Sequence, residues 1–361
     1  MQWSAIFSLS HSKSDRLAWI DYAKGIAITM VVFRHTVHGM YYDPNLIVSE
    51  QLFYLVDNIG VTFRMPLFFL LSGVFFKLSV AKRGKAGYAK HKFTTIMYPY
   101  LVWSFIICTL QIAFNNYTNF DATYFSYLEI FYKPWGHWWF LLSLFLVSVL
   151  YLGAYSLFRR SKLLIAIFSL ALYVCSPFLL FSYTLHQTAE LFIFFVIGDF
   201  LATFFIEKQY LRYTASGWLV WALLAAAAIG ETILLLTDLK HNLLLLLLFP
   251  IIGSAFTIVL ANRLEAANIK AISFIRTLGQ HSLYIYLLHV PLMAGVRIFM
   301  SKISYVHDPM YILIPSFLAG LFVPLFIYRT ANKLGMSFIF IWPFSKKPGS
   351  STSINTHYKA A

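Results

Sequence analysis

Apolar stretches of about twenty residues alternate with short polar connections along almost the whole chain. The pattern predicts ten helical spans, at 19–38, 59–77, 94–114, 138–158, 163–181, 188–206, 216–236, 242–261, 282–300 and 311–330. Each is close to the length a helix needs to cross a hydrocarbon layer about 30 Å thick. No connection is long and polar enough to fold as a second, soluble domain. The expected fold class is therefore all-α, a polytopic membrane protein of about ten transmembrane helices. Residues 1–18 read as a leader, 19–330 as the transmembrane domain and 331–361 as a basic tail. The apolar patch from Trp3 to Leu9 in the leader is too short for a signal-peptide core.

Charge placement orients the spans. The loops on one side hold only Lys133, Lys240 and Lys302, while the other side carries Lys13 and Arg16, the basic run of Lys77, Lys82, Arg83, Lys85, Lys90 and Lys92, and further lysines and arginines down to Lys359. Cytoplasmic loops of membrane proteins are enriched in this way, so both ends are expected in the cytoplasm. The same placement explains the formal net charge of +14 without nucleic acid as a partner. With 60% hydrophobic and 12% charged residues, the chain expects the lipid bilayer as its surroundings.

The first span departs from this apolar background. Asp21 and Lys24 stand near its start, and Arg34, His35 and His38 near its end. Ionisable groups at such depth cost roughly 2.5 to 3.5 kcal/mol each on insertion scales, so they need partners or a task. Lys24 and His35 are close to three helical turns apart and share a face, with about 16 Å of rise between them. One reading is structural: Lys24 reaches the headgroups and His35 is a hydrogen-bonded bundle histidine. The other is that this face carries chemistry between the two membrane surfaces. Arg64, Glu190, Asp199, His289 and Arg297 also fall within spans. Asp57 is the expected partner of Arg64, and Glu190 is expected to pair with Arg34, Arg64 or Arg297.

Other stretches carry weaker signals. The segment 115–137 is polar and aromatic, suited both to a carbohydrate site and to an interfacial belt. His137 stands at the edge of the fourth span, where Trp138 and Trp139 read as interfacial anchors. Cys108 and Cys175 lie inside apolar spans, which indicates neither a disulfide framework nor a metal site. The chain has no P-loop, HExxH, CxxC, GxSxG elbow or Rossmann fingerprint.

The wording of four spans resembles the acyltransferase-3 family, integral membrane O-acyltransferases that acetylate sugar hydroxyls, and within it the fucose-4-O-acetylase-like branch. In the first span, D-Y-A-K-G-I-A-I-x-M-V-V-F-x-H runs from Asp21 to His35, with Lys24 where the family usually has Arg. The second span matches F-x-x-P-L-F-F-x-x-S-G-x-x-F through Phe63, Pro66, Ser72, Gly73 and Phe76, with Arg64 where many relatives carry His. The fourth span holds a similar W-F-L-x-x-L-F run. The ninth reads LG-x-x-SLYIYLLH-x-P, from Leu278 through His289 to Pro291, and Ser282 is expected to cap its helix.

The resemblance implies transfer of an acyl group from cytosolic acetyl-CoA, or another acyl-CoA used as donor substrate, to a carbohydrate hydroxyl on the cell surface or on a lipid-linked precursor. It implies a bacterial cytoplasmic membrane. His35 would act as general base or take the acyl group itself. Lys24 and Arg16 would attract the CoA phosphates, although Lys lacks the bidentate fork of Arg. Arg34, Arg64, Glu190 and His289 are candidates to line a tunnel or the acceptor site. The alternative class is an exporter of a small acid or a glycan, since intramembrane charges also mark transport pathways. Against it, no inverted repeat is apparent.

Overall fold

A computed structural model describes residues 17–58, 60–113, 123–207, 217–237, 242–303 and 308–344. Residues 1–16 of the leader, Arg16 among them, lie outside these, as does most of the tail. Every regular element among the described residues is a helix. The helices are α1 (Ala18–Tyr41), α2 (Glu50–Asn58), α3 (Arg64–Val74), α4 (Phe76–Lys92), α5 (Tyr98–Ala113), α6 (Ser126–Glu129), α7 (Trp139–Leu157) and α8 (Lys162–Cys175). They continue with α9 (Tyr183–Phe200), α10 (Ala202–Ile206), α11 (Trp218–Leu236), α12 (Leu243–Ala267), α13 (Ser273–Gln280), α14 (Ser282–Ile298) and α15 (Pro309–Lys333).

Among the described residues, six helical segments are long and apolar enough to cross a membrane: Phe76–Ala113, Gly136–Leu157, Lys162–Leu179, Leu243–Ala267, Ser282–Ser301 and Pro309–Lys333. The protein is thus a multi-pass, all-helical membrane protein. Among the helices of sufficient length outside these six are α1 and α9. Both carry intramembrane charges, and both are enclosed by their neighbours. α1 packs against α2, α3, α12, α13, α14 and α15. α9 contributes Phe192, Phe194 and Phe195 to the main core, all almost fully buried. Polar groups in a bilayer are tolerable where protein rather than lipid surrounds them, which is why the charged helices sit inside and the apolar ones outside.

Close backbone approach fixes two of the crossings. A Cβ at Gly279 would fall on the carbonyl oxygen of Asp21, and one at Gly25 on that of Ile275, so α1 and α13 meet with no side chain between them. Gly73 and Gly198 do the same for α3 and α9, facing the carbonyl oxygens of Phe195 and Leu70. Small residues at helix interfaces let backbones come this near. Beside the first crossing, Gln280 Nε2 donates to Asp21 Oδ2 at 3.1 Å.

The structure corrects several expectations. The second span is shorter than 59–77: α3 has 11 residues and stops at Phe75, whose ψ of 2° breaks the helix. Pro66 lies in its first turn, where its missing N–H leaves no gap in the ladder. The basic 77–92 connection is itself helical, with a break at Gly84 (φ 70°, ψ 173°), a conformation that favours glycine. It runs through a π-helical segment, Phe93–Met97, into α5. The 262–281 connection is also largely helical, formed by the end of α12, a 3₁₀ turn and α13. Ser282 makes no capping hydrogen bond; the end of α13 leads almost directly into α14.

Candidate functional site

Three imidazoles from distant parts of the chain meet inside the bundle. His35 comes from α1, His137 from the 3₁₀ turn Gly136–Trp138 ahead of α7, and His289 from α14. The His35 ring centre lies 5.2 Å from that of His289 and 5.7 Å from that of His137, and the latter two are 4.9 Å apart. His289 is fully buried and His137 nearly so, while His35 is partly exposed.

Neighbouring groups hold the two buried rings. Tyr286 donates its hydroxyl to the backbone carbonyl of His137, tying the start of α7 to α14. The Tyr286 ring stands 5.2 Å from the His137 ring and 5.7 Å from that of His289. His289 Nδ1 sits 2.8 Å from the carbonyl oxygen of Tyr286 and 3.0 Å from that of Ile285, one turn back on its own helix. The Nε2 atoms of both His137 and His289 are buried without a hydrogen-bond partner. Buried polar atoms are seldom left so, and where they are, an occupant or a task is the usual reason.

His35 also lines a cavity of about 50 Å³ with Thr36 and Gly39 of α1, Met293 and Arg297 of α14 and Ser316 of α15. That volume accommodates a few water molecules or a small functional group. Arg297 closes one side: its Nη1 donates to Gly39 O at 2.6 Å and its Nε lies 3.0 Å from Asp43 Oδ2. Thr36 donates to Val32 O at 2.8 Å, while the buried Ser316 Oγ has no partner.

The other expected tunnel residues fall nearby but pair differently. Asp57 gives its carboxylate to Arg34, at 2.7 Å, and only its backbone carbonyl to Arg64, at 3.4 Å. The buried Arg64 and the half-buried Arg34 are both within electrostatic reach of His35. Glu190 faces His186 on its own helix, 3.5 Å away, instead of any of the three arginines proposed for it. At the far end of α1, Lys24 is within electrostatic reach of Lys92, which also feels Arg83. A basic cluster therefore assembles from α1 and α4.

Comparison with known proteins adds the family. The sequence profile of the acyltransferase-3 family, an acyltransferase domain, matches residues 17–329. This chain belongs to that family. No curated protein and no solved structure matches it. The match thus runs from α1 through all but the last turn of α15, and includes all three imidazoles and the basic residues of α1 and α4.

Two residues of this acyltransferase's candidate site were not singled out by sequence. His137 stands beside a Trp pair at a span boundary, a position that interfacial anchoring explains equally well. Tyr286 falls within the LG-x-x-SLYIYLLH-x-P stretch of the ninth span, but the motif assigned it no role at the site. The only sequence signal for His137 was a histidine immediately before an apolar run, which is common.

Proposed function

We propose that this acyltransferase moves an acyl group, acetyl in our reading, from cytosolic acyl-CoA to a hydroxyl of a cell-surface or lipid-linked carbohydrate, with acceptors of the kind used by the fucose-4-O-acetylase-like branch. The reading includes ten spans with both termini in the cytoplasm of a bacterial cell. The observation that carries it is the position of His35, on the wall of a cavity and against two buried imidazoles.

In this mechanism His35 in its neutral form takes the proton of the sugar hydroxyl as that oxygen attacks the thioester carbonyl, or accepts the acyl group itself before passing it on. Lys24 attracts the CoA phosphates from the opposite end of α1, helped by Arg83 and Lys92 and, outside the described residues, by Arg16. Arg64 and Arg34 border the reacting region, where their charge favours an oxyanion forming at the thioester carbonyl. Glu190, engaged with His186, would shape the acceptor side. The exporter alternative finds less support, because Arg34, Arg297 and Lys77 have carboxylate partners at 2.7, 3.0 and 3.1 Å while the imidazoles are left open.

The test is transfer of labelled acetyl from acetyl-CoA to membrane carbohydrate by His35→Ala. Its expected outcome is a loss of about a thousandfold or more, with expression and membrane insertion unchanged. Full activity in that variant would remove His35 from the chemistry, and substrate flux with no covalent change would favour the exporter.

A further inference from the structure

His289 is locked in one tautomer by its own helix. Its Nδ1 lies within hydrogen-bond distance of two backbone carbonyl oxygens, and carbonyl oxygens only accept, so Nδ1 carries the hydrogen. The neutral ring then has its lone pair on Nε2, which is enclosed and has no donor. A direct N–H···N bond between two imidazoles places their ring centres roughly 5 Å apart, from about 2.9 Å between nitrogens plus the two ring radii. His35 stands at 5.2 Å. At that separation a bond between the two rings requires His35 to reorient, and catalytic hydrogen bonds often tighten only when substrate is bound.

We propose that His289 is the positioning residue for His35: its Nε2 accepts the N–H of the far His35 nitrogen, so that the nitrogen facing the cavity keeps its lone pair. The inference rests on the role of His35 proposed above. His289 does not touch substrate, since it is fully buried and absent from the cavity wall. As the acceptor oxygen bonds to the thioester carbon and the C–S bond breaks, the hydroxyl proton moves to the cavity-facing nitrogen of His35. The far N–H stays on His289 Nε2 throughout, and the proton passes on to the departing CoA thiolate. An acyl-histidine route needs the same tautomer, because the same lone pair then attacks the thioester. The logic is that of a base oriented by a third group, with an imidazole in the place of a carboxylate.

The test uses full-length protein labelled with ¹⁵N-histidine in lipid nanodiscs, its ring signals assigned with His35→Ala, His137→Asn and His289→Gln. Wild type should show His289 protonated at Nδ1 and His35 in a single tautomer. In His289→Leu the His35 signals should become those of a tautomer mixture. Acetyl transfer should fall about a hundredfold in kcat, with the KM for acetyl-CoA within about twofold of wild type. His289→Gln, which returns an acceptor oxygen near the Nε2 position, should recover at least about tenfold of that loss. The proposal is overturned if His289 carries its hydrogen on Nε2, if its Nε2 is bonded to His137, if the His35 tautomer is unchanged in His289→Leu, or if the Leu and Gln variants are equally active. Should His289→Leu fail to insert, the wild-type spectrum decides alone. Activity surviving in His35→Ala would sink the proposed function, whereas the spectra read the His35–His289 pair without any turnover.

Discussion

Helix α1 serves two regions that solve opposite problems. At its start, Gly25 meets α13 backbone to backbone and Asp21 accepts a hydrogen bond from Gln280. Space is filled by closely fitted atoms, and the side chain that reaches across finds a partner. Two turns and more further on, His35 borders a cavity, and the two imidazoles behind it keep unpartnered Nε2 atoms. A membrane protein interior gains stability from contacts of the first kind and none from the second. The difference teaches which half of a family motif holds the bundle together and which half borders open space: D-Y-A-K-G belongs largely to the crossing, and the histidine that closes the motif belongs to the cavity.

Variants can break this contrast. His35→Ala should produce the largest effect, the thousandfold loss in transfer, about 4 kcal/mol in barrier height, while leaving thermal stability in detergent near wild type. A large drop in stability would place His35 with the structural residues. Gly279→Ala should behave in the opposite way. Its Cβ has nowhere to go against Asp21 O and the Gly25 backbone nitrogen, and forcing α1 and α13 apart should cost about 3 kcal/mol of stability. Yield and thermal unfolding would fall together, and activity per folded molecule would not. Wild-type stability in Gly279→Ala would show that the crossing is looser than its geometry.

Smaller effects sharpen the comparison. Asp43→Ala removes the carboxylate from Arg297 but leaves the carbonyl of Gly39 in place. The buried guanidinium then loses one of two partners, and stability should drop by about 2 kcal/mol, below the usual range for breaking a buried pair. Because Arg297 also lines the cavity, the KM for the carbohydrate acceptor should rise as well, which separates this lock from a purely structural one. The smallest change is expected for Lys24. Lys24→Ala should raise the apparent KM for the acyl donor roughly five- to tenfold, corresponding to about 1 kcal/mol, and Lys24→Arg should preserve or improve donor use. Unchanged donor kinetics in Lys24→Ala would remove the phosphate role from that end of α1.

Much of this was legible without coordinates, for a definite reason. Hydropathy acts locally: a run of twenty apolar residues commits itself to helix and bilayer whatever its neighbours do, so the spans from 138, 163, 242, 282 and 311 are met by helices with bounds close to those expected. Basic loops were legible as charge, but their conformation was not. Residues 77–92 carry six basic side chains and still form helix, because polarity excludes a membrane interior without excluding a helical backbone. Ion pairing was misjudged where partners lie far apart in sequence. Asp57 was matched with Arg64 by helical spacing, yet near the end of α2 its carboxylate meets Arg34.

The sequence by itself determined that this chain is a helical membrane protein, and the motifs of its first, second, fourth and ninth spans together indicated an acyltransferase-like pattern around His35. Only the tertiary structure brought His137 and His289 to that residue. Their convergence depends on α14 packing along α1 and on Tyr286 fastening the start of α7. Periodicity reports which face of a helix is apolar; which histidines meet is decided by how three separate helices cross, and no single stretch of sequence contains that angle.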